Sequence, residues 1–293
     1  MKKCFGIALL FWFLLTNGGV FAEETLTQKG LLWQIDKSGL TSSYLLGTIH
    51  SEDQRVIQLV SIVRPHFKKA NSVSLELLMD IPTILKSGNA MFFKDEQSLD
   101  QLVDNTLYTQ IVEAMRPYQM PPMMVKKLKP WAVVATLSAP PPKTGIFLDL
   151  LLYQEAQKLQ IPVYGLEKVE EQLAVFDNLT LEQQIELLKD TIKHIDEMPK
   201  MFAELHELYL ERNLTALMQF SLNYMREGST NQTLIDSFYK GIVDDRNQKM
   251  VKRMEEYLQE GNAFIAVGAL HLPGKKGILK LLEKQGYKVS TVY

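Results

Sequence analysis

The sequence predicts an α/β fold, with a mixed and partly parallel central sheet built from N- and C-terminal β-α-β units. Two observations support this prediction. Strand-like segments alternate with amphipathic helices at both ends of the chain, and residues 170–260 show helical periodicity nearly throughout. Strand–helix alternation is typical of α/β proteins. We therefore expect residues 23–293 to form a single domain, with about 170–260 as a large helical insertion that packs on, or caps, the sheet.

The first part of the chain predicts a β-β-α-β order. Alternating apolar residues on both sides of Ser38-Gly39 indicate a β-hairpin, whose second strand ends at His50. An apolar face at helical spacing follows, and Pro65 should kink or shorten this helix. The predicted elements are strands at 31–36, 44–50 and 72–78 and a helix at 56–67.

The later elements follow from the same patterns. Residues 81–138 look helical but irregular, with a Met/Pro-rich patch at 120–124. Five apolar residues at 263–267 have no polar alternation, which indicates a strand buried on both faces, although so short a run also fits a buried helix. The predicted elements are a loop at 140–142, helices at 145–160 and 275–284, and strands at 161–165, 263–267 and 287–292. The last strand–helix–strand unit predicts a parallel crossover.

Composition excludes several function classes. The chain has 293 residues, a formal net charge of −2 and no basic stripe, so neither nucleic acid nor a membrane surface is an expected partner. Its single cysteine is Cys4. Once the N-terminal segment is removed, the chain has no cysteine nucleophile, thiolate metal site or disulfide.

The N-terminus, residues 1–22, predicts a signal peptide. Met1-Lys2-Lys3 is a basic start, and the apolar run from Phe5 to Leu15 is too short to span a bilayer comfortably. Val20-Phe-Ala22 offers small residues for cleavage before Glu23, and an uncleaved anchor is the alternative. We expect an exported protein, periplasmic or secreted, with membrane contact only through this segment. A chain without disulfides suits a bacterial periplasm.

Two Gly-x-x-His units mark the candidate site. Gly47-Thr-Ile-His50 and Gly268-Ala-Leu-His271 each follow a strand-like run, and two matches exceed the chance expectation for 16 Gly and 5 His. Glu76 lies near the end of a third predicted strand. Ligands of open α/β sheets bind at such strand ends. Two imidazoles and a carboxylate are a recurring ligand set for Zn, Mn, Fe or Co, and a bound cation activates water and polarises a carbonyl for hydrolysis.

Three further residues are candidates for supporting roles. Asp53 and Asp149 could fix an imidazole tautomer, and Arg246 could clamp a substrate carboxylate. Each candidate has a structural alternative. A histidine after a strand is often an ordinary loop residue, Glu76 could be an edge-strand charge, Asp149 a helix first-turn acid, and Arg246 a surface ion-pair partner. We interpret the other histidines, His66, His194 and His206, as solvated positions on amphipathic helices.

On these residues the chain resembles the TraB/PrgY/GumN family, which includes the TIKI proteins, and within it the bacterial GumN-like branch. The resemblance extends over nearly all of the chain after the signal segment. The markers are Leu45 to Asp53, Ser74-Leu-Glu76, Lys129-Pro-Trp131, Gly145 to Asp149, Val163 to Glu167 with Gln172, Arg246-Asn247, and Val267 to Gly274. The family's paired Gly-x-x-His units and glutamate map onto His50, His271 and Glu76. The aspartate in Gly145-Ile-Phe-Leu-Asp149 lies further from its glycine than the family pattern.

The resemblance implies a fold shared with ChaN-like haem-binding and erythromycin-esterase (EreA)-like proteins. Animal members of the family resemble divalent-metal-dependent proteases that trim a secreted signalling peptide. Other members are associated with shutdown of a peptide pheromone, and the GumN name comes from a polysaccharide cluster.

The favoured hypothesis is an exported hydrolase, a peptidase, that uses Mn, Co, Zn or Fe and acts on a peptide or other small polar substrate. His50 and His271 would bind the metal, Glu76 would be the third ligand or the general base, and Arg246 would orient substrate. The alternative is a non-catalytic periplasmic binding protein that sequesters a peptide, haem or metal. The Met/Pro patch at 120–124 would then form an adaptable apolar lip. A weaker third possibility is an accessory protein of polysaccharide assembly.

Overall fold

The computed structural model describes residues 28–293, and its centre is one six-stranded sheet. The strands are β1 (Leu32–Asp36), β2 (Ser43–Thr48), β3 (Ser72–Leu75), β4 (Val163–Gly165), β5 (Ala263–Gly268) and β6 (Lys288–Thr291). Their order across the sheet is β4-β3-β5-β2-β1-β6. The predicted signal segment, residues 1–22, lies outside the described residues.

The sheet is mixed, as the sequence predicts. Strand β1 runs antiparallel to β2 and β6, whereas β2, β3, β4 and β5 are mutually parallel. The predicted hairpin and the α/β class are therefore confirmed. The closing β5–helix–β6 unit differs from a crossover between neighbouring strands: β5 is already flanked by β2 and β3, so β6 pairs at the far edge with β1.

Strand β5 lies at the centre of the core, in agreement with its uninterrupted apolar sequence. Residues 263–267 are all buried, and the ring of Phe264 packs edge-on against Phe67 at 4.9 Å. A strand covered on both faces carries apolar side chains in both directions. Burial on both faces therefore explains why this strand has no polar alternation.

The helices cover both faces of the sheet and extend beyond it. Those before β4 are α1 (Gln54–Ile57), α2 (Leu59–Phe67), α3 (Ile81–Ala90), α4 (Leu99–Leu102), α5 (Asn105–Met115), α6 (Pro122–Val125), α7 (Pro130–Leu137) and α8 (Leu148–Lys158). Those after β4 are α9 (Val169–Asp177), α10 (Leu181–Lys193), α11 (Met198–Leu210), α12 (Leu214–Glu227), α13 (Gln232–Tyr239), α14 (Asp245–Glu260) and α15 (Ile278–Lys284). A π-helical turn, Lys240–Asp244, joins α13 to α14.

Two local predictions need correction. The predicted helix 56–67 is divided at Gln58 into α1 and α2, and α2 continues past Pro65 to Phe67. The strands are also shorter than predicted: β2 ends at Thr48 and β3 at Leu75. His50 and Glu76 therefore lie in the segments that follow the strands.

Helices from both halves of the chain form a second core away from the sheet. Trp131 and Leu137 of α7 pack there with Ile111 of α5 and Leu188 of α10. Helices α9 and α10 thus pack with the 99–137 region, whereas α11, α12 and α14 contribute to the core on the sheet. None of the helices within residues 28–293 is long and apolar enough to cross a membrane.

Candidate active site

Three parallel neighbouring strands, β3, β5 and β2, end at one edge of the sheet. Thr48 of β2 is in register with Gly268 of β5, and Leu75 of β3 is in register with Ala266. The segments after these strands carry the three predicted ligands. The structure therefore brings His50, Glu76 and His271 to the carboxyl edge of the sheet, where α/β proteins bind their ligands.

The carboxylate of Glu76 is held from both sides. Its Oε1 accepts a 2.6 Å hydrogen bond from the Gly268 N–H, and its Oε2 accepts a 2.6 Å hydrogen bond from the Arg246 guanidinium. A Cβ atom at position 268 would lie 3.1 Å from Oε1, so a glycine here permits the close approach. Burial alone would raise the pKa of Glu76, but the charge of His271 when its ring is protonated, the Arg246 guanidinium and the Gly268 N–H lower it to about 2. Glu76 is therefore ionised at neutral pH.

Arg246 forms ion pairs with two carboxylates at this edge. Its Nε and Nη2 donate to Glu167, Nη2 also donates to Glu76, and Nη1 donates to the Ile242 carbonyl. Burial would lower the pKa of Arg246, but Glu76 and Glu167 raise it, so the guanidinium stays charged. The preceding π-helical turn, Lys240–Asp244, widens the helix just before this arginine, and such turns are frequent at functional sites. These bonds use four of the five guanidinium N–H groups and leave one Nη1–H for a substrate, and that role stays a prediction.

His271 is buried in one defined tautomer. Its Nδ1 lies 2.6 Å from Oδ1 of Asn247, whose own amide Nδ2 donates to the Lys276 carbonyl at 2.9 Å. Because the Asn247 oxygen faces the ring, Nδ1 carries the proton and Nε2 of the neutral ring is an acceptor. Burial lowers the pKa of His271 and favours this neutral form. Nε2 faces Glu76 Oε1 at 3.6 Å, so two acceptors point at each other.

His50 forms a second pair with Asp149. The His50 side chain is 66% exposed, and its Nε2 lies 3.5 Å from Oδ2 of Asp149 in the first turn of α8. Thr48 donates to the other oxygen, Oδ1, at 2.8 Å, whereas the buried Oδ2 has no hydrogen-bond partner among the described residues. Burial raises the pKa of Asp149, and the charge of Glu76 adds to that rise. The prediction that Asp149 supports an imidazole agrees with this contact, and its role stays a prediction.

The two pairs share one electrostatic environment but do not form one cluster. The charge of His50 contributes to the low pKa of Glu76, and the charge of Glu76 contributes to the raised pKa of Asp149. Within residues 28–293, no three His, Cys, Asp or Glu side chains are arranged to hold a metal ion as they stand. The ligand set of His50, Glu76 and His271 therefore stays a prediction.

Asp53, the other candidate for imidazole support, is directed elsewhere. It caps α1 by accepting the Arg55 N–H at 2.8 Å, and it pairs with the Arg55 guanidinium at 2.7 Å. Its contacts in the described structure thus belong to the start of α1. A role of Asp53 beside His50 or His271 stays a prediction, because the hydrogen bonds and ion pair of its side chain are with Arg55.

Sequence reasoning gave no role to three residues that organise the site. Asn247 fixes the His271 tautomer, Glu167 pairs with Arg246, and Gln172 donates to both Glu76 and Glu167. A signal for Asn247 was present, because asparagine is a poor residue for a helix interior unless its side chain has a specific partner. All three residues also occur among the markers of the family resemblance.

A cavity of about 530 Å³ opens beside the exposed imidazole of His50. Phe147 packs against the His50 ring at 4.9 Å, and Tyr118 and Met120 line the cavity further out. Glu52 also lines the cavity, and its carboxylate accepts hydrogen bonds from the backbone N–H groups of residues 143–145. The site therefore combines polar groups at the sheet edge with a neighbouring cavity whose lining is largely apolar.

The remaining histidines are less exposed than the sequence predicts. His66, His194 and His206 are all half-buried, so their interpretation as solvated positions was wrong. His66 packs on the Tyr44 ring at 4.2 Å, and His206 lines the cavity beside His50. Amphipathic periodicity identifies a helix face, but long neighbouring side chains cover polar positions at its border.

The fold and the site define an α/β protein with two histidine–carboxylate pairs at the carboxyl edge of its sheet. The chain belongs to the TraB/PrgY/gumN family, which it matches over residues 31–291. The family resemblance seen in the sequence motifs is thereby confirmed.

Several animal relatives align with most of this chain. Metalloprotease TIKI2 of Danio rerio is 24% identical over 322 aligned positions, which cover 91% of this chain and 62% of that protein. Metalloprotease TIKI2 of Xenopus tropicalis is 25% identical, with 98% of this chain and 66% of that protein covered. Metalloprotease TIKI1 of Homo sapiens is 25% identical, with 89% and 61% covered. The chain therefore spans less than two thirds of the length of these relatives.

Proposed function

We propose that this protein is an exported, divalent-metal-dependent hydrolase that acts on peptides. The observation that carries the proposal is the 3.6 Å approach of His271 Nε2 to Glu76 Oε1, with the ring proton held on the opposite nitrogen. Two acceptors in a buried setting repel each other unless a cation or a proton lies between them. The description of the relatives as metalloproteases supports a divalent cation.

The chemistry of the donor atoms suits such an ion. His50, Glu76 and His271 would hold it, and Asp149 would orient the His50 ring. The Oδ2 atom of Asp149 is buried without a hydrogen-bond partner in the described residues, which is a costly arrangement unless a cation or a charged imidazole lies nearby. Imidazole nitrogens combined with carboxylate oxygens suit Zn, Mn, Fe and Co.

The protein's own groups prepare this chemistry. A bound divalent ion would polarise the substrate carbonyl and activate water for attack. Asn247 holds the proton of His271 on Nδ1, which leaves Nε2 free to act as a ligand. Arg246 and the Gly268 N–H keep Glu76 ionised. A carboxylate whose pKa is held low by Arg246 and a backbone N–H is a poor general base at neutral pH, so we assign Glu76 as a ligand.

The cavity beside His50 would receive the peptide. Its apolar lining, with Tyr118, Met120 and Phe147, offers surface for hydrophobic side chains next to the exposed imidazole. Export through the predicted signal segment would direct the protein to peptides outside the cytoplasm.

The alternative is a non-catalytic protein that sequesters a peptide, haem or metal with the same residues. The 66% exposed His50 side chain, next to Met120 in an open cavity, favours this alternative for a large ligand such as haem. In that case haem would give a Soret band that is lost when His50 is replaced.

The test is peptide turnover by purified protein reconstituted separately with Mn, Co, Zn and Fe. A diverse peptide library is incubated with each form, and products are detected by mass spectrometry. We expect cleavage with at least one metal, none after chelation, and none in His271→Ala. His66→Ala is a matched control, because this half-buried histidine packs on Tyr44 away from the site.

Two results would contradict the proposal. Protein that binds metal normally but cleaves no peptide would favour sequestration. Cleavage that survives both chelation and His271→Ala would exclude the proposed site.

A further inference from the structure

A second cavity, of about 430 Å³, lies within the helical layer rather than at the sheet edge. It is lined by α7 and by helices α9 to α13, together with the π-helical turn. Its walls are mainly apolar, with contributions from Phe176, Met198, Met201, Leu205, Met225 and Phe238. A volume of this size falls in the range of small-molecule sites.

Three buried polar atoms on residues that line this cavity have no hydrogen-bond partner within residues 28–293. They are Oδ2 of Asp190, Nε2 of His194 and the hydroxyl oxygen of Tyr224. An unsatisfied buried polar atom costs about 1–3 kcal/mol, so three on residues that line one cavity point to a partner from outside the chain. Asp190 and His194 are four residues apart at the end of α10, and such residues face the same side of a helix.

The chemistry of these atoms defines the head group of the partner. His194 Nδ1 lies 3.2 Å from a carboxylate oxygen of Glu197, so the tautomer with its proton on Nδ1 donates to Glu197 and leaves Nε2 as an acceptor. Asp190 Oδ2 is also an acceptor, and the Tyr224 hydroxyl can act as one. A primary ammonium group has three N–H donors and a positive charge that complements the carboxylate.

We propose that this cavity is a binding site for an apolar primary amine. The ammonium group donates to Asp190, His194 and Tyr224, and the hydrocarbon or aromatic body fills the space among the methionine and phenylalanine side chains. Methionine walls suit this use, because their flexible thioethers adapt to ligands of different shape.

This site is separate from the His50 and His271 pairs but adjacent to them. Leu270, which lines the cavity, directly precedes His271, and Ala135 lines both cavities. Amine binding does not depend on the proposed hydrolase activity. His271→Ala should therefore retain amine binding even if it abolishes every metal-dependent function.

The first test compares the head groups on one hydrocarbon chain by isothermal titration calorimetry. Decylamine should bind with one equivalent per protein. Decanol, decanoate and decyltrimethylammonium should bind about tenfold or more weakly, because each lacks the charge, the donors or both. Equal binding of decyltrimethylammonium would overturn the role of N–H donors. Preference for decanoate, or no saturable decylamine binding, would overturn the site.

The second test uses variants with matched controls. Asp190→Asn should weaken decylamine binding about tenfold or more, and Tyr224→Phe should weaken it by a smaller factor. Asp95→Asn and Tyr257→Phe make the same chemical changes at residues that do not line the cavity and should leave affinity unchanged. If Asp190→Asn fails to fold, Tyr224→Phe and the ligand series with the parent protein still test whether the cavity binds the amine. Unchanged affinity in both cavity variants would refute the assignment.

Discussion

The bond between Asn247 and His271 gives the sharpest prediction about the site. Replacing Asn247 with leucine keeps a side chain of similar volume but removes both of its hydrogen bonds. The Nδ1–H of His271 is then left buried without an acceptor, whereas the Lys276 carbonyl can turn to water because Lys276 is exposed.

The expected loss of stability comes mainly from the buried Nδ1–H of His271. A buried donor left unsatisfied costs about 1–3 kcal/mol, and the added apolar burial of leucine recovers part of that cost. We expect a loss of about 2 kcal/mol in the free energy of unfolding. Groups that orient metal-binding histidines contribute about 10- to 100-fold to metal affinity, so Asn247→Leu should lose affinity in that range.

The assay pairs urea unfolding with competition against a metal indicator. Asn247→Asp is the matched variant, because an aspartate oxygen still accepts the His271 Nδ1–H while the bond to Lys276 is lost. It should hold metal affinity within about tenfold of the parent. The reasoning is refuted if Asn247→Leu binds metal as tightly as the parent, or if Asn247→Asp loses as much affinity as Asn247→Leu.

Three further predictions concern charged groups around the site. Arg246→Met leaves two buried carboxylates without their cation and should cost about 3–5 kcal/mol in urea unfolding, and a loss below about 1 kcal/mol would argue against this charge arrangement. Glu52→Gln weakens the hydrogen bonds that the Glu52 carboxylate accepts from residues 143–145 and should speed limited proteolysis of that loop. An unchanged cleavage rate would show that these bonds do not hold the loop. The hydrogen bond from Arg253 lowers the pKa of Glu171 to about 2 from an ordinary value of 4.5. A lowered folded-state pKa stabilises the protein above the ordinary value, and this contribution is lost as pH falls towards the lowered one. Glu171→Gln should therefore cost about 1 kcal/mol at pH 7, and its difference from the parent should shrink between about pH 4.5 and 2; a constant difference would contradict the shift.

Local patterns were enough to predict the α/β class and the position of the candidate residues. The apolar run at 263–267 becomes the buried β5, and the Gly-x-x-His units follow β2 and β5 at one sheet edge. Both features follow from a few consecutive residues. Strand ends and buried runs can be identified from sequence because burial and backbone pairing act along a short segment.

Contacts between distant segments were not predictable in this way. Glu76 and Arg246 are separated by 170 positions, and Glu167 and Arg246 by 79. No local periodicity relates such residues, so sequence reasoning read Arg246 as a substrate clamp or a surface ion pair. The pairing of β6 with β1 is similar, because it depends on which sheet edge remains open after β5 is enclosed.

The central claim is that His50 and His271 serve one divalent metal ion. Elemental analysis of the purified protein, beside His50→Ala and His271→Ala, tests it most directly. We predict about one Mn, Co, Zn or Fe per chain in the parent after loading, and loss of that metal in both folded variants, with His66→Ala unchanged. A parent that binds none of these ions after loading, or variants that keep the full metal content, would contradict the claim.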